Sequence, residues 1–167
     1  GGYKHEVMKR SSDEAALERE ETQEDTVFAK WKIKPTSTVD VALYAEASSR
    51  DGSGYNTLGA ENPLMRKFHL ADRDRTKLGA SIDYVATEKL FLTVRIYYNN
   101  DEYKNSVIGL FESEQPVYTV DFSYQPRENI STYGYYTYEN IESTQGSYDV
   151  STSADWDAIF NDTFNTV

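Results

Sequence analysis

Apolar and polar residues alternate along much of the chain with the two-residue period of an extended strand, in which successive side chains point to opposite faces. Val27, Ala29, Trp31 and Ile33 fall on one side, and Phe28, Lys30, Lys32 and Lys34 on the other. After PTST, Val39, Val41, Leu43, Ala45 and Ala47 alternate with Asp40, Ala42, Tyr44 and Glu46. The arrangement returns twice. Leu78, Ala80, Ile82 and Tyr84 oppose Lys77, Gly79, Ser81 and Asp83, and after VATEK come Leu90, Leu92, Val94, Ile96 and Tyr98 opposite Phe91, Thr93, Arg95, Tyr97 and Asn99. Then Tyr118, Val120, Phe122 and Tyr124 oppose Thr119, Asp121 and Ser123, and after QPREN a last strand carries Tyr on both faces. The pattern predicts six strands, at about 26–34, 39–48, 76–84, 90–99, 117–124 and 130–139, grouped as three hairpins of one design.

The connections alternate in length. Those inside hairpins are four or five residues, and those between hairpins, at 48–75, 100–116 and from 140 onward, are far longer. Short turns at one end and long loops at the other are the asymmetry of an outer-membrane barrel. The expected fold class is therefore all-β, an antiparallel up-and-down meander forming an arc of a large transmembrane β-barrel, with short periplasmic turns and long extracellular loops. Six complete strands are fewer than the eight of the smallest membrane barrels, and both ends read as cut strands: GGYKHE leading into an acidic loop at 7–25, and a last strand stopping at Val167.

Composition changes this picture little. The 167 residues carry a formal net charge of -11, which argues against nucleic acid as a partner, while 14% are aromatic, too many for a disordered acidic chain. Cys is absent, which excludes disulfides, thiolate metal sites and covalent haem attachment within this chain. No apolar run is long enough for a membrane helix, and a signal peptide is expected to be absent or removed.

In the barrel reading the apolar rows face lipid and the polar rows face the lumen. Trp31, Tyr84 and Tyr124 are expected at matching heights above the short turns as a periplasmic aromatic girdle, with Tyr98 and Tyr136 toward the outer one. The lumen-facing charges Lys30, Lys32, Lys34, Asp40, Glu46, Lys77, Asp83, Arg95 and Asp121 are the candidate partner-docking residues. The competing reading is an ordinary antiparallel sheet whose aromatics pair on an inner face.

Catalytic constellations are not visible, and no enzymatic role is expected. His5 and His69 lack metal-ligand spacing. Asp72 and Asp74 offer clustered oxygens for Ca²⁺, but alternation with Arg73 and Arg75 favours ion pairs among these four as the foot of a strand that re-enters the membrane at Thr76. The stretch SSDEAALEREETQED has helical propensity.

The stretch ENPLMRKFHLADRDR at 61–75, with Asn62, Pro63, Arg66, Lys67 and Asp72, Arg73, Asp74, Arg75 in the pattern N-P-L-x-R-K-x-x-L-A-D-R-D-R, resembles the decahaem-associated outer-membrane proteins of the MtrB/PioB family. D-x-Y-x-x-S-x-x-G-L-x-E-S at 101–113 and the flanking hairpins extend the resemblance over most of the chain. It implies a very large barrel in the outer membrane of a Gram-negative bacterium. That barrel sheathes a periplasmic multihaem c-type cytochrome, often docks an extracellular one, binds no haem itself, and so supports electron transfer across the membrane. A diffusion porin or transporter barrel, and a soluble β-rich binding domain, are the alternatives.

Overall fold

A computed structural model describes residues 1–11, 19–56 and 64–147, with the strand backbone alone at 148 and 159–166. The described residues form one antiparallel sheet without a helix. Its strands are β1 (Gly2–Lys9), β2 (Glu21–Thr36), β3 (Val39–Gly52), β4 (Asp72–Thr87), β5 (Leu90–Lys104), β6 (Gly109–Arg127), β7 (Ile130–Glu139), β8 (Ile141–Tyr148) and β9 (Ile159–Thr166). Each pairs with its sequence neighbour except that β7 and β8 both pair with β6, and β9 pairs with β8. β7 and β8 keep one register, Val117 facing Glu139 and Glu114 facing Glu142. They are one strand interrupted opposite Pro116, which has no N–H to give the ladder and instead accepts a bond from the Asn140 N–H through its carbonyl.

All three hairpins of the sequence are present, with tighter turns than expected: only Ser37–Thr38, Glu88–Lys89 and Glu128–Asn129 lie outside the strands. Each turn is preceded by a one-residue register shift. Two of these shifts contain Pro35 and Pro126, which a regular ladder would exclude. The Thr36 and Thr87 hydroxyls accept the N–H two residues on, at Thr38 and Lys89, closing the turns locally.

Successive turns are staggered. Val39, the first residue after the first turn, pairs with Tyr84, three residues short of Thr87; Leu90 pairs with Tyr124, three residues short of Arg127. On the unshifted strands the offset is two residues, and over two inter-strand steps of about 4.8 Å an offset of roughly 7–10 Å tilts the strands by about 35–45° with the turns in one plane. That is the tilt of a transmembrane barrel.

The outward face is apolar and bare. Rows such as Ile33–Val41–Ile82–Val94–Val120 run across five strands, and Val27 and Trp31 are each 61% exposed. On β5 the apolar rows run from Leu90 to Tyr98, nine residues that rise about 20 Å at this tilt, close to the ~25 Å apolar band of outer-membrane barrels. Above it the outward face turns polar at Asp25, Ser49, Asp74, Asn100 and Glu114. Leu70 and Ala71 are the only buried apolar residues among those described. A soluble sheet would cover its apolar face; this one presents it.

Several expectations need correction. The strands outrun the apolar band: β2 begins at Glu21, β4 at Asp72 rather than Thr76, and β6 at Gly109 rather than 117. Where both faces are polar the hydrophobic alternation disappears, although the ladder continues. The expected loop at 7–25 shrinks accordingly, because Val7–Lys9 and Glu21–Asp25 are paired strand. Of the helical stretch, 12–18 lies outside the described residues and Glu21–Asp25 is extended. The expected loop after 140 contains β8 ahead of the expected last strand, which is β9.

The girdles also shift. Tyr84 and Tyr124 do share a height, each three residues short of the last strand residue before its turn, but Trp31 stands five short of Thr36, deeper in the band. Tyr98 lies at the far edge of the band, donating to Glu114 at 3.1 Å. Tyr136 pairs with Val120 one row inside it. At the Tyr98 level stands the pair Tyr118–Tyr138, whose ring centroids are 6.3 Å apart.

Candidate functional site: the lumenal wall

The candidate charges share the face opposite the apolar rows, by register for eight and by contact with Asp40 for Lys34. Lys30 faces Tyr44, Lys32 faces Ala42, Glu46 faces Lys77, Asp40 faces Asp83, and Arg95 faces Ser81 and Thr119. Most of these charges are held by one another. Lys77 bonds Glu46 at 2.9 Å, Arg95 bonds Asp121 at 2.5 Å, Lys34 bonds Asp40 at 3.3 Å, and Asp83 accepts the Thr93 hydroxyl at 2.7 Å. Lys30 and Lys32 have no such partner among the described residues. A strand sequence shows which charges share a face; only the register shows which of them neutralise each other.

Higher on the same wall, beyond the apolar band, stands a denser network. Arg75 donates twice to Asp101, at 2.5 and 2.7 Å, and Arg73 reaches Glu24 at 3.0 Å and Asp101 at 3.7 Å. Burial pushes the Asp101 carboxyl up, but the bonds from Arg75 and the charges of Arg75, Arg73 and Arg50 outweigh it and hold the group below the ordinary carboxylate range. Burial, then the charge of Arg73, lowers the Arg50 guanidinium from its usual value. Tyr103, which pairs with Arg73, is raised, first by burial and then by Asp101.

The expected pairing of Asp72 and Asp74 with Arg73 and Arg75 does not occur. As consecutive strand residues they point alternately to opposite faces. Asp74 turns outward to Lys104 and to Ser49, which donates at 2.7 Å. Asp72 binds Arg19 at 2.6 Å and accepts from Asn105 at 2.8 Å. Among the described residues no group of acidic or His side chains is arranged to hold a metal ion.

The loop that precedes β4 folds inward over this network. Arg50, on the inward face, donates to the Phe68 carbonyl at 2.7 Å and the Ala71 carbonyl at 3.0 Å, and Arg19 donates to the Leu70 carbonyl at 2.6 Å. His69 thereby lines a hollow of about 510 Å³ with the inward-facing Glu6, Glu24 and Arg50. The Arg66 guanidinium stacks 4.4 Å from the centre of the Tyr55 ring, whose hydroxyl accepts the Lys67 N–H at 3.2 Å. Asn62 and Pro63 lie outside the described residues.

Sequence reading underweighted the aromatics of this wall. Phe91, Tyr97, Tyr133 and Tyr135 pair with Ser123, Gly79, Ser123 and Asp121, so all four point inward, and all are exposed. The signal was present as the Tyr on both faces of the last strand. Tyr97 lies over Gly79, where a Cβ would come within 3.1 Å of the ring.

A family described as an outer membrane beta-barrel porin, MtrB/PioB, matches residues 1–167. The chain is 33% identical over 172 residues to "Outer membrane protein MtrB" of Shewanella baltica (strain OS185), an alignment covering 100% of this chain and 24% of that relative. The chain thus spans about a quarter of the length of the curated relative it matches. A tilted, two-faced meander with a bare apolar exterior is what such a membership requires of an arc. The chain belongs to the MtrB/PioB family of outer-membrane β-barrel proteins.

Proposed function

We propose that the barrel to which this arc belongs is a sheath: it houses a periplasmic multihaem c-type cytochrome in its lumen and so supports electron transfer across the outer membrane. The arc itself contributes wall and docking surface, and the haem belongs to the enclosed partner. An extracellular cytochrome would meet the long-loop end, where the strands project beyond the apolar band.

The observation that carries this reading is the character of the inward face. A water-filled pore is served by small polar and charged side chains. Here Phe91, Tyr97, Tyr133 and Tyr135 stand open on that face, and exposed aromatic side chains are the groups enriched in protein–protein contacts. The inward turn of the loop at 64–71 adds protein over the lumen mouth. Charged cofactors spaced for electron transfer need such a sleeve, because hydrocarbon would not solvate them.

The alternative is a diffusion porin with water against the same wall. Isolation of the full-length protein from outer membranes in mild detergent separates the two. The sheath predicts a haem protein in stoichiometric amount and little ion conductance while it is present. A colourless barrel that conducts ions freely sinks the sheath.

A further inference from the structure

The lower half of the inward face, between the short turns and the ion network, contains a recess. Two adjoining hollows of about 510 and 250 Å³ share Lys30, Ala42 and Ser81. The floor is made of small residues, Ala42, Gly79 and Ser81, on two central strands that are paired on both sides. Gly79 matters here because the Tyr97 ring lies down across it. Tyr44 stands on the other side of Gly79, its hydroxyl bonded to Glu46.

The electrostatics of the recess are one-sided. Asp40 is held by Lys34, Asp83 by Thr93, Asp121 by Arg95 and Glu46 by Lys77. Lys30 and Lys32 face Tyr44 and Ala42 across β3 and meet no acidic partner among the described residues. If water fills the lumen this costs nothing. If protein fills it, an ammonium removed from water without a partner is costly, and carboxylates on the occupant offset that cost.

We infer that this recess seats a protruding acidic segment of the enclosed protein, with Lys30 and Lys32 receiving its Asp or Glu carboxylates and Tyr44 and Tyr97 flanking it. The inference rests on the sheath reading and sharpens it. Docking in this arc is placed at the periplasmic half of the wall, and the charges above it serve the barrel. Planar phenol rings with two torsions anchor such contacts at low entropic cost, and the lysines add charge complementarity.

The test uses the full-length complex. A zero-length carbodiimide joins amines only to carboxylates in direct contact, and the recess predicts cross-links from Lys30 or Lys32 to Asp or Glu residues of one segment of the haem protein. The double variant Lys30→Gln/Lys32→Gln should remove them and speed loss of the haem protein by roughly tenfold. Independently, Ser81→Cys places a thiol in the floor, to be shielded from maleimide in the complex and reactive once the partner is stripped. Cross-links confined to other lysines, with the Ser81→Cys thiol equally reactive in both states, overturn the recess and leave the sheath standing. A parent barrel that retains no haem protein overturns the sheath reading and the recess with it.

Discussion

Asp101→Asn isolates the ion network above the membrane. Asp101 accepts both hydrogen bonds of the Arg75 guanidinium and lies 3.7 Å from Arg73, and its side chain is 14% exposed. Hydrogen bonds to charged groups contribute about 1.5–3 kcal/mol, and breaking a fully buried pair costs ~3–5 kcal/mol. Arg75 is 26% exposed and so retains access to water, which places the expected loss near the lower figure, about 2 kcal/mol. The assay is equilibrium unfolding of the full-length barrel in vesicles by denaturant, with Arg75→Gln and the double variant completing a cycle. The coupling between the two positions should be about 1–2 kcal/mol. The pH dependence supplies a signed check. The Asp101 carboxyl is depressed in the fold, so its contribution is present above the ordinary carboxylate value and is lost as pH falls through the lower folded value. Asp101→Asn should therefore remove part of the acid destabilisation of the parent, while being weaker at neutral pH. A cycle with coupling below about 0.3 kcal/mol, or an acid limb identical in variant and parent, refutes the assignment.

Three further outcomes follow from the two faces. Val94 lies at the middle of the outward band, paired with Ile82 and Val120, so Val94→Arg should destabilise the folded barrel by about 2–4 kcal/mol in vesicles, whereas Ser123→Arg, on the inward face, should be tolerated. Equal penalties would mean the faces are misassigned. Phe122 covers Gly134 so closely that an added Cβ would come within 2.5 Å of the ring, and Gly134→Ala should cost about 1–3 kcal/mol by displacing it, read as a lowered denaturation midpoint. Spin labels at Tyr118 and Tyr138 should report the same immersion depth as one at Tyr98, and one at Trp31 should sit deeper in the hydrocarbon.

The hairpins were legible because one face of each strand meets lipid, so a period of two is written directly into Val39 to Ala47 or Leu90 to Tyr98. The same rule explains what was missed. At Glu21–Asp25 and along β6 before Pro116 both faces are wet, and nothing in the hydrophobic pattern distinguishes ladder from loop. The girdle was misjudged because height depends on the stagger between strands, which no single strand carries. Tyr118 and Tyr138 come level with Tyr98 only once the offset per hairpin is known. That Arg73 and Arg75 do not pair with Asp72 and Asp74 was recoverable in principle. Reading 72–75 as strand puts both arginines on one face and both aspartates on the other, which forbids the adjacent pairing. Their actual partners, Glu24 and Asp101, are remote in sequence. The nine charges do share one face of the sheet, but which of them neutralise one another, and that Lys30 and Lys32 meet no acid among the described residues, depended on cross-strand register.

What fills the lumen separates a sheath from an open pore. The visible absorption spectrum of the full-length protein, purified from outer membranes without added cytochrome, decides it. A haem spectrum that stays with the barrel through purification, at a fixed ratio to barrel protein, is the predicted result. A barrel free of haem whose lumenal Ser81→Cys thiol is open to reagent from the outset would contradict it.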